Sequence, residues 1–168
     1  MAKKALAVSI REKSDGTRVY TVRWEEFSGE ERQCKSRDLP RPELEDTLAD
    51  FGEFIPHLCL IPRDGIQYMT IAGATFKYPK NGDGGLPYLT LGVSLTLGNG
   101  LDFSFESPGV PIRMDDYTLE TANNWAEKYS ALAKLLSDEI IMYAEGKRAQ
   151  QSLDLEQEAE PDEEGGEN

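Results

Sequence analysis

Hydrophobic and polar positions alternate along the first third of the chain, and the alternation predicts an antiparallel meander. In "KALAVSIRE", Leu6, Val8 and Ile10 are separated by small or polar residues. "KSDG" supplies the Asp-Gly pair of a tight hairpin turn, and in "TRVYTVRWE" Tyr20, Val22 and Trp24 fall on one face while Thr21 and Arg23 fall on the other. After "SGEE", the more polar "RQCKSRDL" has the character of an edge strand. The period then lengthens. A helix begins near Pro42, with Glu43, Glu45 and Asp46 in its positive first turn. Leu44, Leu48, Phe51 and Ile55 recur at the spacing of one helical face, and Pro56 limits its extension.

The middle of the chain returns to a period of two. "GIQYMTIAGATFKY" and "LPYLTLGVSLTLGNG" are strands separated by the hairpin tip "PKNGDGG", and in the second of them Leu89, Leu91, Val93, Leu95 and Leu97 alternate without a break. "GNG" turns the chain into "LDFSFES", whose Leu101, Phe103 and Phe105 are expected on the core side, and "PGVPI" is expected to end pairing. A long helix from about Thr118 to Ala144 carries the stripe Leu119, Ala122, Ala126, Tyr129, Leu132, Ala133, Leu136, Ile140 and Tyr143, with Gly146 as its stop. The order βββαβββα defines an α+β fold, with one or two antiparallel sheets and helices on one side. Residues 1–146 form a single domain, and residues 147–168 are read as a disordered acidic tail. The two strand-triplet-plus-helix halves invite comparison with each other.

Charge separates these regions. The chain carries a formal net charge of -13, yet residues 1–41 hold ten Lys or Arg against seven acids, residues 42–149 hold eight against sixteen, and residues 150–168 hold eight acids and no base. So acidic a chain is not a general phosphate binder, because duplex affinity comes chiefly from cations that displace counterions. A nucleic-acid role therefore belongs to the N-terminal third, where Arg11, Arg23, Lys35 and Arg37 occupy strand positions opposite the core-facing residues. Tyr20 and Trp24 alternate onto the apolar face, away from those bases. No apolar run approaches the roughly 20 residues of a membrane span or the pattern of a secretory signal, which points to the cytoplasm.

Chemistry-bearing motifs are few. "NGDGG" lacks the Gly-Lys-Ser/Thr ending of a phosphate loop, and Asn81 with Asp83 supplies too few oxygens for calcium. Cys34 and Cys59 read as a surface and a buried thiol without metal spacing, and His57 has no nucleophile motif near it. Asp115 and Asp116 precede the long helix, where carboxylates stabilise the N-terminus. These residues give no catalytic group, metal site or cofactor.

The segment after Gly146 runs "KRAQQSLDLEQEAEPDEEGGEN", in which Leu153 and Leu155 stand among acids and amides with no core of their own to join. Gln150-x-x-Leu153-x-Leu155 resembles the hexapeptide form of the bacterial sliding-clamp-binding motif. In that motif a glutamine anchors a short extended peptide and two apolar side chains enter a hydrophobic cleft. The commoner pentapeptide version ends in phenylalanine, whereas Glu156 follows the match here. The wider run "YAEGKRAQQSLDL" is similar to the ends of small proteins of bacteriophage and prophage replication or recombination regions.

These resemblances imply a non-enzymatic replication or recombination accessory protein that docks on the bacterial sliding clamp, or another replication protein, through Gln150, Leu153 and Leu155. Two other readings stand beside it. The acidity fits a protein that imitates DNA and inhibits a host nuclease or defence enzyme. The basic strand face fits a single-stranded DNA-binding protein whose acidic tail recruits partners.

Overall fold

The first turn chemistry is borne out residue by residue. β1 (Lys4–Glu12) and β2 (Arg18–Glu25) are joined through "KSDG", where Gly16 takes a positive φ and the Thr17 amide donates to Asp15 Oδ1 at 2.9 Å. β3 (Glu31–Ser36) completes the meander. In this computed structural model, residues 3–80, 84–96 and 98–149 are described. Leu97, Asn81 and Asp83 lie outside them, as does the acidic segment from Gln150 onward.

The chain is an α+β protein. Among the described residues, β4 (Met69–Lys77), β5 (Tyr88–Thr96), β6 (Asp102–Glu106) and the short β7 (Val110–Pro111) join the first three strands in one antiparallel sheet, in the order β3-β2-β1-β4-β5-β6 with β7 on β5. β1 and β4, the first strands of the two triplets, meet at the centre through Ala7–Thr75, Val8–Ala74 and Ser9–Gly73. Each of them carries a bulge, between Ala5 and Ala7 in β1 and between Ile71 and Gly73 in β4. The two bulges are symmetry-equivalent about the Val8–Ala74 pair, so the halves of the sheet are related by an approximate two-fold axis. At that junction Gly73 is required: a Cβ there would lie 2.6 Å from the Val8 carbonyl oxygen.

α1 (Pro42–Asp50), a 3₁₀ turn (Phe51–Phe54), α2 (Ile55–Cys59) and α3 (Trp125–Ala144) pack on one face. Their apolar sides meet Val8, Tyr20, Val22, Ala74, Phe76, Leu89 and Leu91 in a single core. Phe51 and Phe54 both stand edge-on to Tyr129, with centroids 5.1 and 5.4 Å away. The Tyr129 hydroxyl donates to the Leu89 carbonyl at 3.1 Å, which pins α3 to β5.

Several local expectations change. The bulge at Leu6 turns Ala5, not Leu6, towards Trp24 and the core. Pro56 does not end the first helical segment; it occupies the first turn of α2, where its missing N–H costs nothing. "GIQY" belongs to a 3₁₀ turn (Arg63–Tyr68) that precedes β4. "PGVPI" does not end pairing, because Val110 and Pro111 pair with Leu89 and Tyr88. α3 begins at Trp125, since Asn124 caps it by accepting from the Glu127 amide at 2.9 Å. Leu119 and Ala126 are therefore exposed, and Asp115 and Asp116 stand away from the helix start.

The largest departure is at β6. Phe105 packs partly on the core, but Leu101 and Phe103 are 57 % and 54 % exposed, because the helical layer does not extend over that end of the sheet. Among the described residues, no helix is long and apolar enough to cross a membrane.

Candidate functional site

The candidate docking residues Gln150, Leu153 and Leu155 lie outside the described residues, but the point from which they leave the body is well defined. Gly146 ends α3 at φ +90°, and the Lys147 amide donates to the Met142 carbonyl at 2.9 Å, a C-terminal helix closure. Arg148 then turns back over the helix. Its guanidinium carbon is 3.5 Å from the centroid of Tyr143, its Nε donates to the Tyr143 carbonyl, and Nη1 is 3.6 Å from Asp38 Oδ2. Arg148 bridges antiparallel to Pro40, and the Ala149 amide donates to the Leu39 carbonyl at 3.0 Å. Residues 147–149, which the sequence reading places in the tail, are thus fastened to the β3–α1 connection.

Cations on the helix-free face form a second candidate. Register places Ser9, Thr21 and Lys35 in one row across β1, β2 and β3, and Arg11 beside Val19 in the next. Arg37 lies one residue beyond β3, on the far side of Val19 from Arg11. Val19 is 5 % exposed although no helix covers that face among the described residues. Among the described residues, Arg11, Lys35 and Arg37 have no carboxylate within 4.0 Å, whereas Arg23 is 3.4 Å from Glu31. The structure therefore leaves Arg11, Lys35 and Arg37 without a close carboxylate among the described residues, although Arg37 acts on Asp15 at longer range, and separates Arg23 by its ion pair. Tyr20 and Trp24 are buried on the opposite face and offer no stacking platform to these cations.

A third feature was not visible in the sequence. Between α1, the 3₁₀ turn at Arg63–Tyr68 and strands β1 and β4 lies a cleft of about 410 Å³, bordered by Ile10, Arg18, Glu45, Leu48, Met69 and Ile71. Glu45 Oε1 is held twice, by Arg18 Nη1 at 2.7 Å and by the Tyr20 hydroxyl at 2.8 Å. Burial and the Glu45 carboxylate push the Tyr20 hydroxyl up to about 12, so it remains a donor at neutral pH. Glu45 is consequently committed to two partners and is poorly placed to act as a base. The spacing of Arg18 and Tyr20 on one strand face, opposite an acid in a helix first turn, was the available signal.

The remaining chemistry-bearing groups are individually occupied. His57 packs on Trp125, ring centroids 4.7 Å apart. Cys34 and Cys59 are both half-buried and free; Arg148 Nη2 approaches Cys34 Sγ at 3.8 Å, and burial pushes the Cys59 thiol up, away from the reactive thiolate. Among the described residues, no group of three or more His, Cys, Asp or Glu side chains is placed to hold a metal ion. The acidity of the body is concentrated along α1 and the turn after it, where Glu43, Asp46, Asp50 and Glu53 are exposed on one side.

The chain is thus an α+β body with one helix-covered and one open sheet face. No protein-family model matches it, and neither a curated protein nor a solved structure does.

Proposed function

We propose that the protein is a non-enzymatic, phage-type replication or recombination accessory factor that works in the cytoplasm. It docks on the bacterial sliding clamp through Gln150, Leu153 and Leu155. The observation that carries this reading is the fastening of the chain at Arg148 and Ala149, immediately before the motif begins. A linear motif that follows directly on a fixed anchor is available to a partner without unfolding the described body. The amide of Gln150 supplies a donor and an acceptor, and the two leucines supply apolar anchors for a preformed pocket.

A peptide contact of this size corresponds to micromolar affinity, about -8 kcal/mol. Calorimetric titration into a purified bacterial sliding clamp tests it: the intact chain binds in that range, while Leu153→Ala/Leu155→Ala and a chain ending at Ala149 give no heat of binding. Undiminished binding by either variant overturns the assignment.

A second reading is favoured by the open sheet face. Arg11, Lys35 and Arg37 form a cation cluster free of carboxylate partners among the described residues, the electrostatic requirement for holding a single strand by its phosphates. Binding of a labelled single-stranded oligonucleotide that weakens steeply with salt and is lost in Arg11→Ala/Lys35→Ala/Arg37→Ala supports this reading; salt-independent binding removes it.

A further inference from the structure

The structure fixes the point from which the acidic segment leaves the body, at the same edge of the sheet as Lys35 and Arg37. The Pro40–Arg148 bridge is antiparallel, and Ala149 donates to Leu39. Ala149 therefore ends the described chain at the β3 end of the sheet, against the β3–α1 connection. Residues 150–168 carry eight acids and no base, the first acid being Asp154. An extended chain covers about 3.4 Å per residue, so Asp154 reaches about 17 Å from Ala149 and the following carboxylates further. Arg37 is only two residues from Leu39, so the distance to be spanned is well within reach.

We propose that residues 150–168 dock in cis on the open face at the β3 edge, with their carboxylates on Arg11, Lys35 and Arg37. Two observations converge on this occupant: the opposite charges and the reach of the segment from its anchor at Ala149. Tethering also favours it over any free polyanion, because a short link places the acids at an effective concentration of about a millimolar. The contact is mainly ionic between exposed groups, so it is screened by salt and breaks readily. It follows that a polyanion competing for the cations displaces the segment, and that the segment in turn lowers the affinity of the face for polyanions. This inference does not depend on the clamp-docking proposal, and its test contains no clamp.

The test uses the full chain labelled with nitrogen-15, carrying a nitroxide at Gln157→Cys in a Cys34→Ser/Cys59→Ser background. At about 10 mM salt, where the screening length is about 30 Å, the amide signals of Arg11, Lys35 and Arg37 lose most of their intensity. At about 1 M salt, where it is about 3 Å, they recover. Arg11→Glu/Lys35→Glu/Arg37→Glu abolishes the low-salt loss, its fold being checked by the amide spectrum at high salt. Should that variant fail to fold, the position and salt dependence of the loss in the parent chain decide alone. Loss centred elsewhere, or unchanged by salt, overturns the proposal. Mixing isotope-labelled chains with separately spin-labelled ones distinguishes a second copy: loss at the same amides in that mixture means docking between molecules and also overturns docking in cis.

Discussion

Arg148 and Tyr143 form the clasp that joins the end of α3 to the β3–α1 connection. The guanidinium lies over the ring at 3.5 Å, and the Tyr143 hydroxyl donates to the Asp38 carbonyl at 2.7 Å. Arg148→Ala removes a largely desolvated cation–π contact worth about 2 kcal/mol together with its backbone bond. For a domain of this size the expected fall in Tm is about 4 to 8 °C. Thermal unfolding followed by circular dichroism measures it, and an unchanged Tm would show that the clasp contributes nothing to the body.

The pseudo-two-fold junction makes a sharper demand. A methyl group at Gly73 meets the Val8 carbonyl oxygen at 2.6 Å, backbone against backbone, where neither strand can yield alone. Gly73→Ala should destabilise by about 1 to 3 kcal/mol, the ordinary cost of overpacking. Gly52→Ala, where a Cβ meets nothing within 4 Å, is the matched control and should be close to neutral. Urea denaturation of the two variants compares them directly.

Burial and pairing compete at Glu139. Its side chain is 9 % exposed, and Arg41 Nη2 stands 3.9 Å from Oε1; burial is the larger influence and pushes the carboxyl up from its ordinary value. A carboxyl whose pKa is raised by folding binds its proton more tightly in the folded state. Its contribution to stability therefore falls as pH rises from the unfolded value, about 4.3, through the folded one. Glu139→Gln should be more stable than the parent at pH 7, and the difference should close below pH 4. Melting curves of both proteins across that range test the sign, and a less stable Gln variant at pH 7 would mean that the Arg41 attraction outweighs burial.

Leu91 and Phe103 share an alternating pattern in the sequence but not an environment. Leu91 is fully buried, whereas Phe103 is 54 % exposed at the sheet end that no helix covers among the described residues. Leu91→Ala should cost about 2 to 5 kcal/mol, and Phe103→Ser should stay within about 0.5 kcal/mol. Chemical denaturation gives both values, and a large loss from Phe103→Ser would show that β6 is covered in solution.

That last pair shows where the sequence was sufficient and where it was not. Alternation places side chains on one face of a strand, and it did so correctly for Tyr20, Val22, Trp24, Leu89 and Leu91. It does not say whether a helix lies over them. Coverage at Phe103 depends on the position of α3, whose start was misplaced because Leu119 and Ala122 continue the helical spacing while the cap at Asn124 stops the helix. The bulge between Ala5 and Ala7 was not legible either: Ala5 joins the core cluster and Leu6 is also buried, and a bulge leaves no compositional mark. Of the candidate residues, Arg11, Arg23 and Lys35 were legible as strand positions, whereas Arg37 falls one residue past β3, and the ion pair that sets Arg23 apart needed the register of β2 on β3. The clasp was not foreseen, since Arg148 follows a helix stop and offers only its charge as a clue.

α3 packs on β1 and β2, so the last helix of the body covers the first strands to be made. At roughly 5 to 20 residues per second, the ribosome needs on the order of ten seconds between finishing β2 and finishing α3. Throughout that interval Tyr20, Val22 and Trp24 lack the helix that covers them in the folded body, so burial of the meander's apolar face waits for the end of the body to be made.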